Sequence, residues 1–202
     1  MSMLFDDALA ARERDETVEN SVYEDEVLTE SDLTRVEFSG VRFIRCRFDG
    51  CDFGRASFYD CAFEQCDISR SSFADGYFRR CTLSGVTGAS ADMHGCIMRE
   101  STLSDCTLRY INLTQSKLEA VSFVRCSMAD AFLSELKLKK LKFAYCDLTR
   151  ADFFRTPLKG MDLSTCTISG IALSDDRHEI AGVKISAAQA IDVALMLGVK
   201  IV

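Results

Sequence analysis

The residues of this sequence best suited to chemistry are ten cysteines, whose thiols could form disulfides, bind zinc or act as nucleophiles. Neighbouring cysteines lie at least five residues apart, so the chain has no C-x-x-C pair of the kind that binds zinc. Apolar residues recur in a regular five-residue pattern, and each cysteine lies two positions before one of them. This position suits a small buried side chain, and free cysteine behaves as one. We therefore predict reduced thiols in the core of a cytoplasmic protein. The ten are Cys46, Cys51, Cys61, Cys66, Cys81, Cys96, Cys106, Cys126, Cys146 and Cys166.

Two histidines are the other candidates for catalysis or metal binding. His94 occupies an outward position of the five-residue pattern, and His178 lies in the segment "DDRHE". Neither has a candidate nucleophile close to it in the sequence, and the chain contains no glycine-rich phosphate loop and no metal-ligand spacing. We predict a protein that is not an enzyme, with no catalytic residues, no metal and no cofactor.

The five-residue pattern itself indicates the architecture. An apolar residue recurs at every fifth position from Leu33 to Leu173, through 29 consecutive units in which only Gly88 lacks an apolar side chain. In extended backbone, a residue and the one two places before it point to the same side. If both point inward, the other three residues of each unit face solvent and turn the chain. The pattern thus predicts an all-β coil that closes on itself and stacks on the next coil.

The cysteines also indicate how many units form one coil. Six of them recur at intervals of twenty residues, in a column interrupted only by Val86. Four units per coil would stack these side chains directly above one another. We expect about seven coils, in a rod of roughly 35 Å at the strand spacing of about 4.8 Å.

Quintets such as "ADFFR" (151–155), "CDLTR" (146–150) and "CDFGR" (51–55) resemble the pentapeptide-repeat family, with its A-(D/N)-L-x-x consensus. The resemblance covers about residues 31–175. It implies a right-handed quadrilateral β-helix, a handedness that the spacing alone does not indicate.

The two ends of a coil stack need caps, because the terminal coils leave apolar faces and strand edges open. We expect residues 1–30 to form an acidic N-terminal cap, with a short amphipathic helix possible in "LFDDALAARERDE" (4–16). We place the solenoid at 31–175 and a helix-strand cap at 176–202. Ser186 and Gln189 form a capping box that starts a helix near Ala187, and Gly198 follows the helix as a stop signal.

This C-terminal helix is apolar nearly all round, which favours burial on more than one side. One side can cover the last coil, and the other can pair with a second copy of the chain. We predict a homodimer through this end, the alternative being a monomeric cap with a few exposed apolar residues. The expected interface residues are Ile191, Ala194, Leu195, Leu197, Val199 and Ile201.

A second resemblance concerns the same segment. "GVKI" (182–185), "QA" (189–190) and "LGVKIV" (197–202) are similar to the C-terminus of Qnr-type and MfpA-type quinolone-resistance proteins. The resemblance implies a dimer that binds DNA gyrase or topoisomerase IV by imitating duplex DNA, without binding nucleic acid itself. Many Qnr members carry loops that interrupt the repeat, whereas this sequence, like MfpA-type relatives, has none.

Charge and aromatic side chains supply two candidate partner surfaces. Residues 1–32 hold 11 acids and 2 bases, whereas residues 33–202 hold 20 acids and 22 bases, so the net charge of −7 originates in the N-terminal segment. One outward column also contains four aspartates, although aspartate is a common turn-forming residue at that position. The candidate acidic column is Asp32, Asp52, Asp92 and Asp152; the candidate partner patch is Tyr110, Phe132, Phe154, Arg150 and Arg155.

These features support two hypotheses of function. The first is a protein that binds a type II topoisomerase and gives quinolone protection or gyrase inhibition. The second is a β-solenoid scaffold for another protein partner, with no topoisomerase role. No apolar run of eighteen residues exists, and the N-terminus has no signal-peptide pattern, so we expect neither a membrane span nor secretion.

Overall fold

In the computed structural model, which describes residues 2–200, the chain winds into a four-sided coil. Parallel pairing joins residues that are twenty positions apart, for example Phe38 with Phe58 and Phe43 with Phe63. Four five-residue units therefore make one turn, as the cysteine column predicted. The predicted all-β solenoid with a C-terminal helix is confirmed.

Two faces of the coil are regular sheets of seven three-residue strands. The first sheet contains β1 (Thr17–Glu19), β4 (Glu37–Ser39), β7 (Ser57–Tyr59), β9 (Tyr77–Arg79), β11 (Ile97–Arg99), β13 (Lys117–Glu119) and β15 (Lys137–Lys139). The second contains β2 (Val22–Glu24), β5 (Arg42–Ile44), β8 (Ala62–Glu64), β10 (Thr82–Ser84), β12 (Thr102–Ser104), β14 (Ser122–Val124) and β16 (Lys142–Ala144).

The other two faces pair mostly through single-residue bridges. One face begins with β3 (Val27–Thr29) and β6 (Arg47–Asp49) and continues as bridges up to Asp147 with Thr167. The remaining face consists of bridges alone, from Asp32 with Asp52 to Asp152 with Ala172. At the corners, residues such as Arg80 (φ 55°) and Asp130 (φ 60°) take left-handed backbone conformations, which turns the chain after each unit.

Seven strands in a regular sheet are separated by six turns of the coil, slightly fewer than the seven expected. The expected number is larger because it includes all 29 units of the five-residue pattern. The regular sheets end at Lys139 and Ala144, while the last units pair through bridges and the C-terminal segment. Six steps of about 4.8 Å make the regular part of the rod roughly 29 Å long.

The core is a column of inward side chains whose character changes along the rod. In the first half, phenylalanine rings stack from coil to coil, with 5.2 Å between the centroids of Phe38 and Phe58 and 4.7 Å between those of Phe53 and Phe73. In the second half, leucine and methionine fill most of the same positions. All ten cysteines are free and buried beside this column, as predicted.

At the N-terminus, α1 (Met3–Arg14) is capped by Ser2, whose hydroxyl accepts a hydrogen bond from the amide of Phe5. The helix buries Leu4, Ala8 and Ala11 against the end of the core. The coil starts directly after it, since β1–β3 occupy residues 17–29 and pair with the next coil. The stack therefore begins ahead of the predicted boundary at residue 31, because Val18, Tyr23 and Leu28 already fill inward positions.

Up to Ala172, paired residues in successive coils are twenty positions apart. After Leu173 this offset changes, although the chain still pairs with the coil before it. Lys184 pairs with Asp162, an offset of 22 residues (184 minus 162), so the joining loop contains two extra residues. This loop includes a 3₁₀ turn, η1 (His178–Ile180). Segment 182–185 thereby covers the open edge of the last coil.

The predicted capping box is present, because the Gln189 side chain accepts from the Ser186 amide and the Ser186 hydroxyl accepts from the Gln189 amide. The buried Gln189 also donates to the carbonyls of Leu163 and Cys166, which closes the end of the core. The helix, α2 (Ala190–Met196), begins three residues later than predicted because residues 187–189 form a turn. Gly198 ends it with φ 79°.

Gly88, the one centre of the five-residue pattern without an apolar side chain, does not interrupt the coil. A Cβ atom at this position would lie 2.9 Å from Cδ2 of Leu108 and 3.1 Å from Cγ1 of Ile68. These neighbours in the coils above and below fill the space, and Thr87 pairs with Asp67 and Thr107 without interruption. Neither helix in the described part of the chain has the length and apolar character that a membrane span requires.

Candidate functional site

The surface of the rod offers binding faces, and paired charges cover most of them. At four corners, an arginine binds the aspartate twenty residues earlier, donating from Nε and one Nη to both carboxylate oxygens at 2.6–2.9 Å. These hydrogen bonds hold the pKa of each aspartate below its ordinary value, so the carboxylates stay ionised. Exposed pairs of this kind contribute little stability, but they cancel charge locally. The pairs are Arg45–Asp25, Arg80–Asp60, Arg125–Asp105 and Arg150–Asp130.

Unpaired acidity concentrates at the first coil. We define the acidic collar as Glu16, Glu19, Glu26 and Glu30, which have no ion-pair partner among residues 2–200. Glu26 takes the inward position that Cys46 and Cys66 take in the next two coils, and its side chain is half-buried at the rod's end. The collar therefore carries four uncompensated charges, whereas the body of the rod is nearly neutral.

The four aspartates of the candidate acidic column lie on one face, but they are not consecutive. Ser72, Asn112 and Phe132 occupy the intervening positions of the same column of bridges. Each aspartate caps its own turn, accepting a hydrogen bond from the amide two residues later at 2.8–3.2 Å. Asp32 also pairs with Arg12 at 3.0 Å. These contacts assign the column a structural role in the turns, and its charge is sparse compared with that of duplex DNA.

The candidate partner patch is exposed. Tyr110, Phe132 and Phe154 are 45%, 47% and 36% accessible on adjoining parts of the surface. The Arg155 guanidinium lies 4.9 Å from the Phe154 ring centroid, and Arg109 lies 5.5 Å from that of Tyr110. Aromatic rings with arginine in this arrangement are typical of interface anchors. Arg150, by contrast, is engaged with Asp130.

The C-terminal helix has one side packed against the core and another side exposed to solvent. Val193 and Met196 pack against the core, while Ile191, Leu195, Leu197 and Val199 are all more than half exposed. Ala194 is half-buried between the two groups, and Ile201 lies outside the described residues. The outer apolar side fits the predicted dimer face, which stays a prediction.

Sequence reasoning placed the excess acidity in the N-terminal segment without resolving which acids are unpaired, and it missed the burial of Glu179. The collar could have been found by asking which acids lack a base twenty residues away. His94, one of the two histidines considered for chemistry, faces solvent beside Asp92, with 2.9 Å between Nδ1 and Oδ2.

The buried thiols give the first testable prediction. Burial raises the pKa of Cys51, and it raises that of Cys96 to about 11, so these two thiols are mostly protonated at neutral pH. All ten thiols are also shielded from a reagent by burial in the core. We expect the native protein to react with an aromatic disulfide reagent about a thousandfold more slowly than the protein in denaturant, where all ten thiols react. Rapid reaction of several thiols under native conditions would show that the cysteine columns are accessible.

Comparisons with known proteins agree with this geometry. A family model described as "Pentapeptide repeat region" matches residues 56–133, and one described as "Pentapeptide repeats (9 copies)" matches residues 27–72. Together they span residues 27–133, more than half of the 202-residue chain. A comparison with curated protein sequences finds no match.

Among solved structures, a trypsin-treated variant of QnrB1, a plasmid-mediated fluoroquinolone resistance protein, superposes with a TM-score of 0.58. It is 21% identical, and the alignment covers 91% of each chain. A second trypsin-treated variant of QnrB1 is 19% identical with a TM-score of 0.54, covering 92% of this chain and 97% of that one. At these identities the likeness concerns the fold.

Proposed function

Because this chain belongs to the pentapeptide-repeat family, we propose that it is a non-enzymatic binding protein of the cytoplasm that targets a type II topoisomerase. The target would be DNA gyrase or topoisomerase IV, held by a surface that imitates the charge of duplex DNA. The observation that carries the proposal is the acidic collar, which places unpaired carboxylates at one end of a rod that is otherwise charge-balanced. Likeness of fold to QnrB1, a fluoroquinolone resistance protein, supports the choice of target.

Physical reasoning favours the collar over the aspartate column as the contact. A topoisomerase surface that holds DNA is basic, and unpaired carboxylates attract such a surface over a distance of about 8–10 Å at physiological salt. The column aspartates are committed to turn amides and are separated by neutral side chains. The collar carboxylates, by contrast, form no ion pair with a cation within the described residues, so their charge is available to a partner.

The second candidate function is a scaffold for another protein, bound through the aromatic patch. Phe132 and Phe154 are exposed, and an apolar ring in solvent gains free energy when a partner covers it. Binding through this patch would depend on the rings and would be nearly insensitive to salt.

A binding titration separates the two functions. Immobilised full-length protein is exposed to purified gyrase, topoisomerase IV and a control basic protein across a salt series. Saturable gyrase binding that weakens with salt and is displaced by duplex DNA supports the topoisomerase proposal. A Phe132→Ala/Phe154→Ala variant should retain this binding, and loss of binding in that variant would favour the scaffold.

We further propose that residues 176–202 form the dimerisation segment, with the exposed side of α2 at its centre. Leu195→Asp would place a charge in the apolar interface, and we expect it to raise the dimer dissociation constant about a hundredfold or more. Light scattering coupled to gel filtration measures the mass. Tyr145→Asp is the matched control, since Tyr145 is 67% exposed and belongs to the solenoid, outside residues 176–202. A wild-type chain that is monomeric at micromolar concentration would contradict the prediction.

A further inference from the structure

The loop that joins the last coil to the C-terminal cap contains a buried carboxylate. Glu179 belongs to the short 3₁₀ turn η1 and is fully buried, although glutamate rarely is unless paired. Its backbone carbonyl accepts a hydrogen bond from the Leu158 amide at 2.8 Å, which extends the pairing of the coil. The side chain is thereby fixed at the junction between coil and cap.

The two oxygens of this carboxylate have different surroundings. Oε1 accepts hydrogen bonds from the amides of Arg155 at 2.9 Å and Ser174 at 3.1 Å. Burial acts to raise the pKa of Glu179, but the hydrogen bonds from Ser174 and Arg155 outweigh it and the pKa lies below its ordinary value. Oε2 is buried with no hydrogen-bond partner. An ionised oxygen in this position carries a desolvation cost that a cation would offset.

Two further ligand atoms face this oxygen from the same loop. His178 Nδ1 lies 4.0 Å from Glu179 Oε2 and 2.7 Å from Asp176 Oδ1. The three atoms lie within 4.8 Å of one another. The Ser174 hydroxyl donates to Asp176 Oδ1 at 2.6 Å, so the outer carboxylate is oriented as the carboxylate ligands of metals usually are.

The geometry points to a binding site for a divalent transition-metal cation, formed by Asp176 Oδ1, His178 Nδ1 and Glu179 Oε2. One imidazole nitrogen and two carboxylate oxygens suit Zn²⁺, with a fourth position open to water. Tetrahedral ligands at about 2.0–2.1 Å are separated by roughly 3.3 Å, so the ligand atoms need to move by less than about 1 Å. The cation would replace the His178–Asp176 contact and pair the unsatisfied oxygen of Glu179.

A second histidine–aspartate pair of this chain lacks the buried carboxylate that distinguishes the proposed metal site. His94 and Asp92 repeat the same two-residue spacing, with 2.9 Å between Nδ1 and a carboxylate oxygen. No buried, unpartnered carboxylate accompanies that pair in the part of the chain that the structure describes. His94 is therefore a matched control for His178.

Metal titration of the full-length, reduced protein tests the inference. We expect ZnCl₂ to bind with one ion per chain by calorimetry, and to raise the melting temperature because the site links coil and cap. His178→Ala and Glu179→Gln should each weaken binding about tenfold or more, whereas His94→Ala should leave it unchanged. Glutamine can still accept both amide hydrogen bonds through its oxygen, and His178 is exposed, so both variants should fold.

Cobalt distinguishes this site from the ten thiols. Co²⁺ bound by nitrogen and oxygen gives visible d–d absorption without a thiolate-to-metal charge-transfer band. The inference is overturned if no stoichiometric binding occurs, if His178→Ala and Glu179→Gln both bind like wild type, if His94→Ala weakens binding equally, or if the charge-transfer band is present.

Discussion

Replacing Phe58 by alanine should lower the free energy of unfolding by about 3–5 kcal/mol. The side chain is fully buried and its ring lies close to five others, two of which stack on it at 5.2 Å and 4.8 Å between centroids. The remaining three are in the neighbouring faces, at 5.5 Å to 6.1 Å. The narrow coil cannot collapse onto the vacated space without breaking the pairing of strands, so the cavity persists.

Thermal and denaturant unfolding measure this effect. For a chain of this size, the loss corresponds to a decrease of roughly 6–20 °C in melting temperature. Tyr145→Ala is the control, because Tyr145 is 67% exposed and its removal should change the free energy by no more than about 0.5 kcal/mol. Because each coil contacts only its neighbours, the Phe58 variant should also unfold less cooperatively. A cost below about 1 kcal/mol would contradict the stacked aromatic core.

Neutralising the acidic collar should weaken binding to gyrase by about tenfold to a hundredfold at low salt. The variant replaces Glu16, Glu19, Glu26 and Glu30 with glutamine, which keeps the size of each side chain. Four interfacial charges, each contributing about 0.5 kcal/mol, account for this range. The difference from wild type should vanish at high salt, since screening removes the same attraction.

The matched control neutralises four acids that are already paired with cations. Asp60, Asp105 and Asp130 are changed to asparagine and Glu119 to glutamine, which gives the same change in net charge. If net charge alone governs the affinity, both variants weaken equally. If the collar is the contact, only the first variant weakens. Equal affinity of the collar variant and wild type at low salt would contradict the assignment.

Point substitutions are needed because deletion of residues 1–30 would damage the fold. That segment supplies β1–β3, which pair with the second coil. It also supplies the buried Tyr23, whose hydroxyl donates to Asp7 at 2.8 Å. A truncated chain would lose stability together with charge, and the two causes could not be separated.

Much of the fold could be predicted because the five-residue period constrains every coil in the same way. The inward positions, the turn of four units, the buried cysteines, the capping box at Ser186 and the stop at Gly198 all follow from local sequence. Family resemblance supplied the right-handed sense of the coil. The regular path of the chain at Gly88 could not be read from its own quintet, because its space is filled by Ile68 and Leu108, which are twenty residues away on either side.

The candidate sites were less predictable, since they depend on pairing between coils and on departures from the repeat. Once the coil length is known, the arginine–aspartate pairs can be predicted from the sequence, because their residues are twenty positions apart. These pairs also help to show which acids have no cation to pair with. Glu179 has no such signal, because its burial results from a loop that contains two extra residues and returns to the coil. Nothing in "DDRHE" alone distinguishes this glutamate from an exposed one.

The most direct test of the proposed function is a DNA supercoiling assay with purified gyrase, with and without a fluoroquinolone, across a concentration series of the full-length protein. We predict that the protein alters gyrase activity in proportion to its concentration, either by restoring supercoiling in the presence of the drug or by inhibiting it without the drug. The collar variant should lose this effect, and the paired-acid variant should keep it. Unchanged supercoiling by gyrase, and by topoisomerase IV in the corresponding decatenation assay, would contradict the proposal and leave a scaffold for a different partner.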